Sequence, residues 1–446
     1  MSDHKINIES KILSLHGWGK INRYKSKIFY PKNIYELKRT LKTKHENFII
    51  RGLGRSYGDS SINDQVISLK KFKKEIKLNK KKNLVQCSSN ISYLELNSFL
   101  VKRGYFPVVT PGSQYVTLGG AVASDVHGKN HHVDGSFCDH VLEIEILRNN
   151  LKIIKCSKKI NKELFKATSG GMGLTGVILK LSFKVIKIKN NIINEKVFKS
   201  KNLDETINLL ENNNDKKYVV AWIDTSTQEK KLGRGVVYIG EHSEKNYNKS
   251  FSGFTFKFSF NLPNFILNNF LIKLLNTIFY FLIPKYKYRE VHYKKFFYPL
   301  DNILQWNNIY GHKGFAQYQI ILPRKKIRKN LKKILIFLKR NNYRSFVTTL
   351  KLLGKKNKNY LSFPKDGFTA TFDIPNNNDL LSLQASLESI LLKIGGKFYL
   401  TKDSFMSKKF FQNTHKKELN YFRKQIMFKK RKFNLQSHQS KRLGIQ

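Results

Sequence analysis

Two glycine loops about 60 residues apart limit what this chain can fold into more than any other feature. The first reads RGLGRSYGD, from Arg51 to Asp59; the second, TLGGAVASDVHGKNHH, runs from Thr117 to His132. Glycine lets a backbone come close to a flat, phosphate-bearing ligand, and successive free N–H groups form a nest for anions. The second loop adds an Asp, a Lys, an Asn and three histidines, which place donors and titratable groups beside whatever is held there. Two such cradles imply one large bound group. The first loop is not a phosphate-binding P-loop, because no Gly-Lys-Ser/Thr follows. Nor does it match the dinucleotide fingerprint, because Gly52, Gly54 and Gly58 are wrongly spaced.

The flanking pattern is α+β. Asn33 and Glu36 cap a short helix over Pro31 to Leu41, and Asn47 to Arg51 is a buried strand feeding the first loop. Leu84 to Ser88 is a strand. Ser92 with Glu95 forms a capping box for a helix ending at Gly104. Val141 to Leu147 and Val177 to Val185 alternate apolar and polar as half-buried strands do, and GGMGLTG (170 to 176) is a third glycine turn between them. Beyond residue 188 the glycine motifs stop, and strands such as Tyr218 to Ile223 and Gly235 to Ile239 alternate with helical runs such as Lys326 to Arg340. The expected units are 1–187, 188–396, and a basic, helical segment 397–446 that returns to the first.

At 446 residues with 40% hydrophobic content, the chain can bury a large core. Its net charge of +52 attracts polyanions, either nucleic acid or anionic lipid headgroups. Abundant Lys, Asn and Ile also follow from an AT-rich genome, although drift alone does not explain the scarcity of Asp and Glu. No nucleic-acid partner is expected, because the basic residues are spread out without an aromatic-interleaved module. Three cysteines, odd in number and widely spaced, exclude a disulfide framework and a zinc motif and fit a reducing compartment. His131 and His132 lack a third ligand at suitable spacing, so no metal is expected. MSDHKINIES has no apolar core of a signal peptide. Residues 262–283 (LPNFILNNFLIKLLNTIFYFLI) are too polar to span a bilayer. With Asn269, Lys273 and Asn276 on one face and Lys285, Lys287 and Arg289 following, the segment 262–289 is expected to lie in a membrane interface.

Both loops, in this order and at this distance, resemble the FAD-binding domain of the vanillyl-alcohol-oxidase, or PCMH, type. Within it the chain is most similar to the decaprenyl-phosphoryl-β-D-ribose 2′-oxidase family. That likeness is carried by RGLGRSYGD (51–59), GGAVASDVHGKNHHVDGSF (119–137), GGMGLTG (170–176), QYQ (317–319), LSFP (361–364) and TKDS (401–404). The resemblance implies a two-domain PCMH-type FAD-binding fold with a mixed α/β substrate (cap) domain. It implies that Ile50, Arg51, Gly52, Leu53, Gly54, Arg55, Ser56, Tyr57, Gly58, Asp59 and Ser60 cradle the FAD pyrophosphate. Gly112, Thr117, Leu118, Gly119, Gly120, Ser124, Asp125, Val126 and His127 would hold pyrophosphate and isoalloxazine. Val177 and Ile178 would meet the adenine side through their backbone, and Tyr399 would sit against the flavin near the substrate. Lys402 would face the reacting carbon, with His127 and Tyr57 tuning the ring. Lys129, Gln317, Gln319, Lys351, Thr369 and Thr371 would line the sugar-phosphate pocket; period two puts both glutamines on one strand face.

Two departures stand out. Mycobacterial members carry a cysteine where this chain has Thr371, and an Asn where it has Thr369. Relatives in the wider superfamily attach FAD through a histidine in the first loop, but no histidine occurs from 47 to 126, so the FAD is expected to be noncovalent. The implied reaction oxidises the 2′-hydroxyl of a polyprenyl-phosphoryl ribose to a ketone, the first half of an epimerisation. A short-chain reductase would complete it, and the enzyme would be cytoplasmic and peripheral to the inner membrane. The alternative is an aldonolactone or sugar-alcohol oxidase of the same superfamily using oxygen.

Overall fold

Three large sheets, with a two-stranded pair of Phe256–Lys257 and Ile303–Leu304, divide the chain in the computed structural model, which describes all residues except 1–7, 43–46, 228, 252, 254, 377–378 and 428–431. Most of the segment read for a signal peptide therefore lies outside the described residues. The first sheet has the order Ser10–Leu15, Tyr24–Phe29, Gln65–Ile67, Asn47–Ile50, Asn434–Leu435. It is parallel except for the first hairpin. The second is antiparallel and centred on Val177–Lys187, which pairs with Leu84–Ser88 on one side and Val141–Leu147 on the other. The third is an eight-stranded antiparallel sheet that begins at Ile192–Ser200 and includes Phe315–Pro323, Thr348–Leu353, Gly367–Pro375 and Lys397–Phe398.

Local chemistry explains the elements. Ser92 and Glu95 make the reciprocal capping box, but the helix stops at Val101; Gly104, at φ +74°, belongs to the turn that follows. Glu36 N–H donates to Asn33 Oδ1 at 2.9 Å at the start of the helix Ile34–Lys42. Thr117 caps the helix Leu118–Ser124, whose last carbonyls are closed by Asp125 in the left-handed region. The two faces of the third sheet differ in kind. Tyr318, Ile320, Leu350, Leu352, Phe368, Ala370 and Phe372 pack into the main core, which also takes in the helices Leu203–Asn212, Ile327–Arg340 and Leu380–Ile394. The alternate residues Gln317, Gln319, Thr349, Lys351, Thr371 and Asp373 are in register across three strands and face the other way.

The segment read as interfacial contains the amphipathic helix Asn269–Leu282. Asn276 is buried and donates to Asp224 Oδ1 and to the carbonyl of Ser345, while Asn269 donates to the carbonyl of Asn342. These acceptors draw the asparagines inward, where unpaired polar groups would be costly. The solvent face is apolar instead: Phe270, Leu274, Ile278 and Phe281 form an exposed stripe. No helix among the described residues is long and apolar enough to cross a membrane.

Candidate active site

A cavity of about 460 Å³ lies between the two glycine loops and the polar face of the third sheet, a size typical of small-molecule sites. On its first wall the loop at 51–59 leaves no room for a side chain at Gly52 or Gly58. A Cβ at Gly52 would sit 2.4 Å from Thr117 Oγ1, and one at Gly58 would sit 2.0 Å from the carbonyl oxygen of Asp403. Arg51 is tied to the carbonyl of His16 at 2.8 Å and to Ser61 Oγ at 3.1 Å. The Arg55 guanidinium lies 4.0 Å over the ring of Trp18, with its Nε buried and unpartnered.

The opposite wall carries the charge. Lys129, Lys351 and Lys402 all reach the cavity. Burial lowers Lys129 to about 7 and Lys351 to about 8, in each case because the ammonium is taken out of water. Lys129 donates to the carbonyl of Phe296 and lies 4.1 Å over that ring. Lys402 Nζ sits 3.8 Å over the ring of Tyr57. The Tyr57 hydroxyl accepts from Gln317 Nε2 at 3.2 Å, and burial keeps it a phenol by pushing its pKa well above the ordinary tyrosine range.

His127 is neutral. Burial, then Lys351, His131 and Lys402, hold it well below the usual imidazole range. Gln319 Nε2 lies 2.9 Å from His127 Nε2, and an amide N–H has only an acceptor to meet there. The ring proton therefore sits on Nδ1, which is buried, unpartnered and available to a bound group. Tyr399 stacks on Phe363 with centroids 4.8 Å apart, and its hydroxyl donates to the carbonyl of Ser124 at 2.8 Å.

The cavity brings together most of the positions singled out from the sequence: Ile50 to Tyr57, Ser60, Gly112, Thr117, Gly119, Gly120, Ser124, Val126, His127, Ile178, Tyr399, and the substrate-side Lys129, Gln317, Gln319, Lys351, Thr371 and Lys402. Six positions are not on its wall. Leu118 and Val177 are fully buried in apolar clusters. Gly58 faces Asp403, and Asp59 turns away to an ion pair with Arg442. Asp125 is a corner post: it accepts from Cys138 N, Asn357, Asn359 and Ser362, which uses its lone pairs for the fold. Thr369 lies beneath the wall, where its hydroxyl accepts from Gln319 at 3.2 Å.

Sequence reasoning missed Trp18, Asp301 and Asp373. Trp18 lines the cavity, and its N–H donates to the carbonyl of Ser56; a tryptophan between two glycines (Gly17, Gly19) was its available signal. Asp301 accepts from Gln114 N at 2.7 Å and Ser113 Oγ at 2.8 Å at the cavity rim. No local pattern marks it. The three cysteines are free and buried.

The unpartnered Arg55 Nε and His127 Nδ1 and the two loops suit an anionic, ring-bearing group. Residues 26–157 match the FAD binding domain family. Decaprenylphosphoryl-beta-D-ribose oxidase of Mycolicibacterium smegmatis is 31% identical over 370 residues, 80% of this chain and 80% of that protein. More distant are L-gulonolactone oxidase of Bos taurus, 26% identical over 35% of this chain and 37% of its own length, and cytokinin dehydrogenase 2 of Arabidopsis thaliana, 24% identical over 29% and 26%. The fold, the cavity and these matches together place the chain in the decaprenylphosphoryl-β-D-ribose oxidase family of FAD-dependent oxidoreductases that act on CH–OH groups.

Proposed function

We propose that the protein oxidises the 2′-hydroxyl of a polyprenyl-phosphoryl ribose to a ketone. The observation that carries this reading is the polar sheet face bearing Lys351, joined by the half-buried Lys129 and Lys402 at the same cavity as the glycine loops. Bound FAD would accept the two electrons and the carbinol hydrogen. The protein supplies the rest. Residues 50–57 and the loop from Thr117 to His127 hold the cofactor noncovalently, with Arg55 and the His127 Nδ1–H as donors. Lys129 and Lys351 neutralise the sugar phosphate, and Lys402 and Gln317 meet the reacting hydroxyl. In this reading residues 1–187 with 397–446 form the cofactor unit and 188–396 the cap.

The exposed stripe on Asn269–Leu282 continues into Tyr286 and Tyr288, each about half exposed, with Lys285, Lys287 and Arg289 interleaved. Aromatic and basic residues in this arrangement suit an anionic bilayer surface, where the polyprenyl tail of the substrate stays. We place the enzyme on the cytoplasmic face of the inner membrane, with a short-chain reductase consuming the ketone to complete an epimerisation. The aldonolactone-oxidase alternative rests on relatives that match only about a third of the chain. The test is anaerobic mixing of the yellow protein with polyprenyl-phosphoryl ribose. The visible flavin band should bleach; if no polyprenyl-phosphoryl pentose bleaches it, the reading fails.

A further inference from the structure

Asp373 is sealed behind the cavity wall, on the strand Gly367–Pro375 and opposite Gln317 in the register. Its backbone N–H donates to Ser345 Oγ at 2.8 Å, and its Oδ1 accepts from Gln317 Nε2 at 2.5 Å. Its other oxygen, Oδ2, has no hydrogen-bond partner. A carboxylate only accepts, so it forces the Gln317 amide to turn its NH2 inward, toward Asp373 and Tyr57. Gln317 Oε1 is thereby presented alone, buried and unpartnered, on a residue of the cavity wall.

Lys402 completes the cluster. Its Nζ makes no hydrogen bond or direct ion pair among the described residues, only the contact with the Tyr57 ring. The charges facing it are few. Asp373 favours its ammonium and Lys351 opposes it, while His127 is neutral and Tyr57 stays a phenol. The Tyr310 phenol also faces Asp373, with its own hydroxyl unpartnered. Burial pushes the Asp373 carboxyl up and the Lys402 ammonium down, toward one another. The two groups act on one another's charge, so they titrate as a pair.

We propose that Asp373 is a positioning residue for the oxidation: it fixes Gln317 Oε1 toward the reacting hydroxyl and sets the basicity of Lys402, which takes the proton that the alcohol loses. This rests on the alcohol-oxidase reading above. The O–H bond breaks with its proton going to the neutral Lys402 amine. The C–H bond would break with its electron pair and hydrogen passing to oxidised FAD as the carbonyl double bond forms, so the alcohol would lose the two electrons that the bound cofactor gains.

The experiment compares the flavin-loaded wild type with Asp373→Asn. The pH dependence of Lys402 acylation by an amine-selective reagent is read by peptide mass spectrometry without sugar present. Wild-type Lys402 should label with a midpoint well below that of surface lysines. Removing the carboxylate removes the charge that favours the ammonium, so the midpoint should fall by about one pH unit. The weaker base should lower kcat by up to about tenfold with KM nearly unchanged, and shift the acid limb of the kcat profile down with the labelling midpoint. An unmoved midpoint, or a fall in kcat with an unshifted profile, overturns the proposal. Should Asp373→Asn fail to fold, Lys402→Arg decides, because it keeps the charge and cannot accept the proton; undiminished kcat there overturns it. Because labelling needs no sugar, a shifted midpoint in a protein that no pentose bleaches would leave the Asp373–Lys402 coupling standing and sink only the substrate reading.

Discussion

Arg442 joins Asp59 of the first glycine loop to Asp403, the neighbour of Lys402: its Nη2 donates to Asp59 Oδ1 at 2.8 Å and to Asp403 Oδ2 at 2.9 Å. Gln439 reinforces the joint by donating to the carbonyl of Leu400 at 2.7 Å and to Asp403 Oδ2 at 2.9 Å. The helix His438–Leu443 thus holds the turn bearing Lys402 against the first glycine loop. Arg442→Met leaves two buried carboxylates without their cation. A loss of about 3 kcal/mol is expected in chemical denaturation, with weakened retention of FAD on dialysis. Arg442→Lys should recover part of both.

Lys402→Ala should bind FAD, because the cradle of residues 50–57 and 117–127 is untouched, yet lose turnover. The measurement pairs the visible spectrum with anaerobic reduction by substrate. Loss of colour together with loss of rate would instead make Lys402 a cofactor-holding residue.

Thr371 lines the cavity, and its hydroxyl lies 2.7 Å from that of Thr349, whereas Cys87, Cys138 and Cys156 are all buried. Burial also raises the pKa of each of these thiols, which keeps them protonated and unreactive. The folded wild type should therefore resist thiol-directed reagents. Thr371→Cys should take up one equivalent at that position, counted by mass spectrometry, and be protected from labelling when the cavity is already filled by substrate.

The exposed stripe on Asn269–Leu282 supports a direct test of membrane docking. Replacing Phe270 and Phe281 by Ser should weaken flotation with anionic liposomes by about 1–2 kcal/mol per residue, roughly tenfold each. Absorption of the bound flavin should stay as it was. Equal flotation of variant and wild type would remove the helix from the membrane surface.

Acid should destabilise the protein through its buried histidines. Burial lowers His131 and His292 to about 4 and His242 and His415 to about 3. Unfolded imidazoles take a proton near 6.5, so between about 6.5 and 4 the unfolded chain binds more protons than the folded one. Stability therefore falls as pH drops through that window, by about 1.4 kcal/mol per pH unit for the fully enclosed His415 alone. Thermal unfolding midpoints measured from pH 7 to pH 4 should decline steadily; a flat profile would mean these rings are protonated in the fold.

Both glycine loops, the capping box at Ser92 and the alternating strands were legible in the sequence because they rest on local geometry: positive φ, close backbone approach, period two. The pairing of Gln317 with Gln319 on one face followed from the same period. At Asn269–Leu282 periodicity showed two unlike faces, but only the tertiary acceptors at Asp224, Ser345 and Asn342 decide that Asn276 and Asn269 are tied to the protein while the apolar stripe is left exposed. Asp125 sits inside a binding motif, yet its four donors come from residues 138 and 357–362 and make it a strut.

The sequence by itself determined the family and the FAD cofactor and singled out Lys402 and His127 as candidates, because each lies in a contiguous string with its own spacing. Tertiary structure alone decided the charge state of the site. Asp373 and Lys402, or His127 and Gln319, are far apart in the chain and meet only because the third sheet lays its polar face over the loops, and it is the burial created by that meeting that moves their protons.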